Sequence, residues 1–321
     1  MRNKMKAMVI YEPGGPEKFV LEERAIPSVK ERWTLVKIKG FGINHSEIFT
    51  RKGLSPTVQF PRILGIECVG QVVETTRRDL QEGQKIVSIM GEMGRAYDGS
   101  YAEYVLLPNE QIYPVDSQLS WAELAAVPET YYTAFGSFKN MQIKEGDSIL
   151  VRAATSGVGL AFLKLVKAQF PQNRVVGAVR SLAKKDLLQQ QGFDEIILDE
   201  RGVLQTEEKF DKILELVGPA TLKNSFDHIQ SAGIICNTGQ LGGKWYVEEF
   251  DPIVEIRNNS YLTSFYSGNV HQQLIDELFS YIDAYKINVS PQRIFSLEQI
   301  PAAHSYIESQ AGFGKVVVLN N

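Results

Sequence analysis

The sequence predicts an α/β chain in which a doubly wound parallel sheet is inserted into a β-rich domain. Three observations predict it. Residues 5–115 read as short strands cut by frequent prolines and glycines. Residues 148–170, SILVRAATSGVGLAFLKLVKAQF, run from an apolar strand through a small-residue turn straight into an amphipathic helix. The closing KVVVL is a strand that is expected to return to the first domain. The expected division is 1–125 with 267–321 for the β-rich domain and 126–266 for the insertion.

In the first segment KAMVIYE, WTLVKIKGFGI, CVGQVVE, QKIVSIM and SYAEYVLLP alternate or run apolar over strand lengths, with Pro13, Gly14, Gly15, Pro16, Pro27, Pro56 and Pro61 as breakers. From residue 120 to 260 the texture changes. SILVRAA, RVVGAV, EIILD, KILELV, AGIICNTG and YLTSFY are apolar strands, separated by the helical GVGLAFLKLVKAQF, LAKKDLLQQQG and ATLKNSFDHI. Strands alternating with helices of this length indicate βαβ units and a sheet covered on both faces. A further helix, HQQLIDELFSYIDAY, precedes the tail.

Composition excludes several classes. The 321 residues are 44% hydrophobic and 22% charged, with a formal net charge of -4 and no block of five like charges. That is no nucleic-acid footprint and no polybasic membrane anchor. No run of 18 apolar residues occurs, and the start, MRNKMKAMVIYEPGG, does not read as a leader. Two cysteines, Cys68 and Cys236, are too few for a disulfide framework and lack zinc spacing. The expectation is a reduced, cytoplasmic protein with no nucleic-acid or membrane partner.

The turn at 154–159 reads Ala154, Thr155, Ser156, Gly157, Val158, Gly159, a dinucleotide fingerprint in which two glycines remain. A pyrophosphate needs free backbone N–H groups, no obstructing side chains and the positive end of a helix dipole. Gly157 and Gly159 meet these needs, with Gly159 also allowing the helix close to the sheet, and Ser156 adds a hydroxyl. The other reading is a strand–helix corner capped by Ser156. The second strand shifts the balance: it ends in Arg180, Ser181 and Lys184, where an NAD site carries Asp or Glu. Guanidinium, hydroxyl and ammonium suit a 2′-phosphate, so NADPH is the expected cofactor, against solvated surface cations as the alternative.

Six segments together resemble one family over almost the whole chain. They are GINHSEIFTRKG (42–53), FPRILGIECVGQVV (60–73), DGSYAEYVLLP (98–108), AAVPETYYTAFGSF (125–138), EGDSILVRAATSGVGL (145–160) and GFGKVVVL (312–319). The family is the medium-chain dehydrogenase/reductase superfamily, in its zinc-free, ζ-crystallin-like quinone oxidoreductase branch. The resemblance implies a Rossmann domain inserted into a GroES-like catalytic domain. In zinc-dependent relatives Cys, His and Cys hold the metal; the matching positions here are Asn44, Ile66 and Glu129, a poor set for zinc. No metal is expected. The implied activity is hydride transfer from NADPH to a quinone or an α,β-unsaturated carbonyl. The alternatives are an enoyl-thioester reductase and a non-catalytic NADPH-binding protein.

The resemblance also implies roles. Asn44 lines the nicotinamide pocket, where its amide can donate to the substrate oxygen; the plain alternative is a turn residue. Thr133, and beside it Thr130, meets the nicotinamide face; the alternative is a helix cap. Val217 and Gly218 lie beside the cofactor, Thr238, Gly239 and Leu241 pass its ribose, and Phe265, with Tyr266, belongs to the strand that meets the carboxamide. Glu129 is expected to be structural, bonded to a backbone amide. His45 reaches the pyrophosphate or holds a turn. No proton donor is assignable, because the relatives' tyrosine positions are Phe49 and Ser55 here; water is the expected proton source, with Tyr97 and Tyr266 as side chains that could reach the pocket. A homodimer joined through YLTSFY is expected.

Overall fold

A computed structural model gives the structure of the chain and describes residues 3–309 and 311–320. The chain divides into two compact units. The first comprises Met1–Tyr132, Ser267–Ser280 and Val289–Asn321, the second Thr133–Tyr266 and Tyr281–Asn288. Against the expected limits, the first division falls inside the helix Pro128–Asn140, between Tyr132 and Thr133. The start of that helix is tied to the first unit by the Glu129 N–H, which donates to Glu67 (2.8 Å). Tyr281–Asn288 joins the second unit, where Tyr281 packs on Phe135 and Phe138 and donates to the Leu165 carbonyl (2.9 Å).

The second unit is built on a seven-stranded sheet in the order Val203–Leu204, Glu195–Glu200, Val175–Val179, Ile149–Arg152, Phe210–Glu215, Ile229–Asn237, Tyr261–Ser264. All neighbours pair parallel except the short Val203–Leu204 strand. Leu150, Val176, Ala178, Ile213 and Ile235 are buried, as strands covered on both faces require. The chain starts at Ile149–Arg152, builds outward on one side, then returns to build on the other. The order therefore reverses between Ile149–Arg152 and Phe210–Glu215, the switch point at which open sheets of this kind bind ligands. This is the Rossmann arrangement.

The first unit carries an antiparallel sheet, Tyr113–Pro114, Lys85–Ile89, Glu67–Thr75, Trp33–Ile43, Val316–Leu319, Arg293–Ser296, with Tyr104–Pro108 also on Trp33–Ile43 and only Val316–Leu319 and Arg293–Ser296 parallel to one another. Lys4–Ile10 makes a second, three-stranded sheet with Phe19–Ala25 and Arg62–Ile63. The closing strand Val316–Leu319 thus sits inside the first unit, and the main segment of the second unit is an insertion. Among the described residues no helix is long and apolar enough to cross a membrane.

Candidate functional site

In the second unit the strand Ile149–Arg152 ends at Ala153, which stands at φ 60°, a left-handed conformation that turns the chain sharply. The Ala154 N–H then donates to the Ala178 carbonyl (3.1 Å), pinning the turn to the neighbouring strand. Ser156 caps the helix Gly157–Gln169, its Oγ accepting from the Gly159 N–H (3.0 Å), and the Ser156 carbonyl accepts from Leu160 (3.1 Å). The capping that was the alternative role of Ser156 is therefore present, and it takes the Gly159 N–H out of play. The Gly157 and Val158 N–H groups stay at the open positive end of a 13-residue helix, where anions are favoured. A Cβ on Gly159 would meet the Ala153 carbonyl at 3.0 Å and the Ala154 carbonyl at 3.2 Å, so the close approach is to the turn itself rather than to the sheet.

Two of the expected loops are zipped together. Thr238 and Gly239 donate to the Glu215 carbonyl (3.0 and 3.2 Å), Leu241 to Leu216 (3.1 Å) and Gly242 to Val217 (2.9 Å). Glu215, fully buried at the end of its strand, takes the N–H groups of Val217 (2.8 Å) and Gly218 (3.0 Å) on one carboxylate oxygen. Its other oxygen accepts from Ser225 (2.5 Å). Thr133 and Thr238 are linked through Ser137, whose Oγ donates to the Thr133 carbonyl (2.8 Å) and lies 2.9 Å from Thr238 Oγ1. Phe265 follows the last strand rather than belonging to it, and its ring occupies the space that a side chain at Gly136 would fill.

At the end of Val175–Val179, Arg180 and Ser181 are exposed and Lys184 is half-exposed. Ser181 caps the turn Leu182–Lys184 by accepting from the Ala183 N–H (3.3 Å). Partial desolvation holds the Lys184 ammonium below its ordinary pKa.

In the first unit Asn44 precedes the helix His45–Arg51, and its N–H is held by Glu47 (3.1 Å). Its side chain is committed: Nδ2 donates to Glu67 Oε1 (2.8 Å), and Oδ1 accepts from Lys315 (2.7 Å). Lys315 also donates to Glu67 Oε1 (2.6 Å). Ile66 is buried and its N–H goes to Glu47 (3.3 Å). Glu129 accepts from the Ser267 hydroxyl (2.7 Å). Thr130 is buried in the same helix. The Tyr97 hydroxyl is directed at the Gly91 carbonyl (2.7 Å) and the Gln111 side chain, and burial raises its pKa, so it is occupied as a structural donor. Tyr266 is exposed, and His45 opens the helix His45–Arg51.

Two family descriptions match the chain: alcohol dehydrogenase GroES-like domain over residues 30–117, and zinc-binding dehydrogenase over residues 191–318. Quinone oxidoreductase from Sus scrofa is 23% identical over 98% of both chains. An NADPH-dependent alkenal/one oxidoreductase, chloroplastic, from Arabidopsis thaliana is 25% identical, covering 98% of this chain and 79% of its own. A mycobacterial protein solved in complex with NADPH has a TM-score of 0.82 at 22% identity, covering 98% of this chain and 100% of that one. These matches and relatives are those of the quinone oxidoreductase branch of the medium-chain dehydrogenase/reductase superfamily, to which the chain is similar at low identity. Both of these relatives are named as oxidoreductases, and the chain shares its fold with the neighbour that binds NADPH.

One matching family description names zinc, but the residues of this chain at the metal positions do not suit that ion. Of the three positions that hold zinc in metal-dependent medium-chain dehydrogenases, one is a hydrocarbon, Ile66. A second, Asn44, already gives its oxygen to an ammonium, and the third, Glu129, is bonded to Ser267. That donor set does not fit zinc, which takes thiolate and imidazole in closed geometry.

Sequence reasoning missed the charges that organise this chain. Arg152 is fully buried, donates to Asp199 Oδ2 through Nη2 (2.6 Å) and Nε (3.1 Å), and also bonds the Thr221 and Gly202 carbonyls (3.2 and 3.1 Å). Lys315, Glu67, Glu215 and Ser137 were missed as well. The signal existed for four of these five: each charge interrupts an apolar strand run, in SILVRAA, KILELV, GIECVG and GKVVVL. A charged residue that such a run carries into the core is almost always paired there.

Proposed function

We propose that this chain is an NADPH-dependent reductase of quinones or α,β-unsaturated carbonyls that works without zinc. The observation that carries the reading is the filling of the metal positions by an amide, a hydrocarbon and a carboxylate, with a lysine ammonium on the amide. Without a Lewis acid to stabilise an alkoxide, simple alcohol oxidation is disfavoured, and the acceptor must be electrophilic on its own.

The reduced nicotinamide supplies a hydride when bound. The protein's part is to hold and orient. The open N–H groups of Gly157 and Val158, at the head of a helix beside Ala154 and Thr155, suit the pyrophosphate. Val217–Gly218 and Thr238–Leu241, fixed to one another through Glu215, form a rigid wall for the nicotinamide ribose. Thr133, tied to Thr238 through Ser137, and Phe265 belong to the same unit and are assigned to the nicotinamide. Arg180, Ser181 and Lys184 select the 2′-phosphate. Asn44 is assigned to the acceptor: for an enone, a C–H bond forms at the β carbon, the π pair moves onto the carbonyl oxygen, and a solvent proton completes the product. A donor aimed at that oxygen lowers the barrier.

The names of the quinone and alkenal/one oxidoreductases to which the chain is similar support this acceptor class. A homodimer is part of the proposal, formed through the open edge Tyr261–Ser264, where Tyr261 and Leu262 are exposed, and gel filtration distinguishes it from a monomer. The test of function is steady-state oxidation of NADPH and NADH with a panel of quinones and enones, before and after chelator treatment. Turnover with NADPH that survives the chelator is expected; turnover only with added zinc, or none with any acceptor, overturns the reading.

A further inference from the structure

Three side chains of the first unit close a hydrogen-bonded ring. Lys315 donates to Asn44 Oδ1 (2.7 Å) and to Glu67 Oε1 (2.6 Å), and the same Glu67 oxygen accepts from Asn44 Nδ2 (2.8 Å). Glu67 is fully buried and Lys315 is 7% exposed. The ring is anchored to backbone on two sides: the second Glu67 oxygen takes the Glu129 N–H (2.8 Å), and the Asn44 N–H is held by Glu47 (3.1 Å). An ammonium only donates and a carboxylate only accepts, so one orientation of the amide fits: oxygen toward Lys315, nitrogen toward Glu67.

The Asn44 nitrogen carries two hydrogens and the ring uses one. The other has no acceptor among the described residues. A cation on an amide oxygen draws electron density from the nitrogen through amide resonance, and because Lys315 and Glu67 are buried behind the half-buried Asn44, that polarisation is only partly screened. It makes the remaining N–H a stronger donor.

We propose that Lys315 and Glu67 are positioning residues, which lock and polarise the Asn44 amide so that its free N–H is a preformed donor to the acceptor oxygen. The ring thus places an ammonium, paired with the Glu67 carboxylate, on the oxygen of an amide in the region where metal-dependent relatives hold an ion. The inference rests on the assignment of Asn44 to the acceptor made above.

The test uses Lys315→Met, and Lys315→Met/Glu67→Gln in case a lone buried carboxylate prevents folding. Both variants should bind NADPH as the parent does and lose kcat by roughly 10- to 100-fold, the range of a weakened oxyanion donor. The loss should be smallest for electron-poor quinones and grow along a series of increasingly electron-rich enones. One common factor for all acceptors, or a rise in KM with kcat unchanged, overturns the proposal. A second readout needs no turnover: in protein labelled with ¹⁵N-asparagine, the Asn44 side-chain protons, identified by their loss in Asn44→Ala, should be far downfield and move upfield in Lys315→Met. Unmoved resonances overturn the proposal even if the chain reduces nothing. A chain that reduces nothing, yet shows the shift, overturns only the functional reading.

Discussion

Arg152 donates two hydrogen bonds to the same oxygen of Asp199, at 2.6 and 3.1 Å, and neither side chain has appreciable contact with solvent. Arg152 Nε also lies 3.7 Å from Glu215, the residue that gathers the Val217 and Gly218 amides. One guanidinium therefore joins the ends of the first, third and fourth parallel strands in chain order beneath the glycine corner. Removing it leaves two buried carboxylates without their cation. Arg152→Ala should cost about 3–5 kcal/mol, read as a lowered urea midpoint. Adding Asp199→Asn should recover part of that loss, because one uncompensated charge is gone. A single variant within 1 kcal/mol of the parent, roughly the worth of an exposed pair, contradicts this account.

The wall beside the switch point depends on glycine in a way that can be measured. Gly218 stands at φ 88°, and a Cβ there would lie 2.3 Å from the Gly239 carbonyl oxygen. A Cβ on Gly239 would in turn lie 2.1 Å from the Leu216 carbonyl oxygen. These are backbone neighbours that cannot swing aside. Gly218→Ala should therefore destabilise the protein by about 2–4 kcal/mol and weaken nicotinamide nucleotide binding by displacing Thr238. Calorimetry and a nucleotide titration on the same variant check both; full stability would show that the two loops separate easily.

Much of this architecture was legible because period and punctuation agreed. SILVRAA, RVVGAV and KILELV, followed by breakers and helices, all became parallel strands, and the small-residue turn became the corner. What was hidden depends on which distant residues meet. Asn44 is a polar residue before a helix in sequence; only the pairing of Val316–Leu319 with Trp33–Ile43 brings Lys315 to it. The Glu129 partner, Ser267, is likewise far away in the chain. The division inside Pro128–Asn140 was hidden for a different reason: one continuous helix carries no local mark of which unit each turn packs on.

Two buried groups in the first unit give opposing pH dependences. Burial, with Arg51 nearby, pushes His304 down from 6.5 to about 3, and burial beside Glu67 pushes Glu47 up from 4.5 to about 8. For His304 the unfolded chain takes the proton first, so stability is lost as pH falls from 6.5 toward 3. For Glu47 the folded chain holds the proton, so stability is full below 4.5 and is lost as pH rises toward 8. Each slope is about 1.4 kcal/mol per pH unit, of opposite sign. Between 4.5 and 6.5 they cancel. Urea midpoints should show a plateau there and fall on both sides. His304→Gln should flatten the acid limb and Glu47→Gln the alkaline one; a limb unaffected by its own variant assigns it to other groups.

The choice between phosphorylated and unphosphorylated nucleotide is tested at Arg180 and Lys184. Both follow the strand Val175–Val179, where a carboxylate would accept the ribose hydroxyls of NADH and repel a phosphate. Ser181 spends one lone pair on the Ala183 N–H, which leaves its proton able to donate to a phosphate oxygen. Arg180→Ala should weaken NADPH by about 10- to 100-fold, the worth of one or two hydrogen bonds to a charged group, and leave NADH within a factor of about two of the parent. Lys184→Ala should act in the same direction, more weakly, since a point charge lacks the guanidinium's bidentate geometry. The NADPH loss should also shrink with added salt, because Arg180 is exposed and Lys184 half-exposed, so ions screen both. Equal losses for both nucleotides would place the two cations on the pyrophosphate instead, and an unaltered NADPH affinity would leave them as ordinary surface charges.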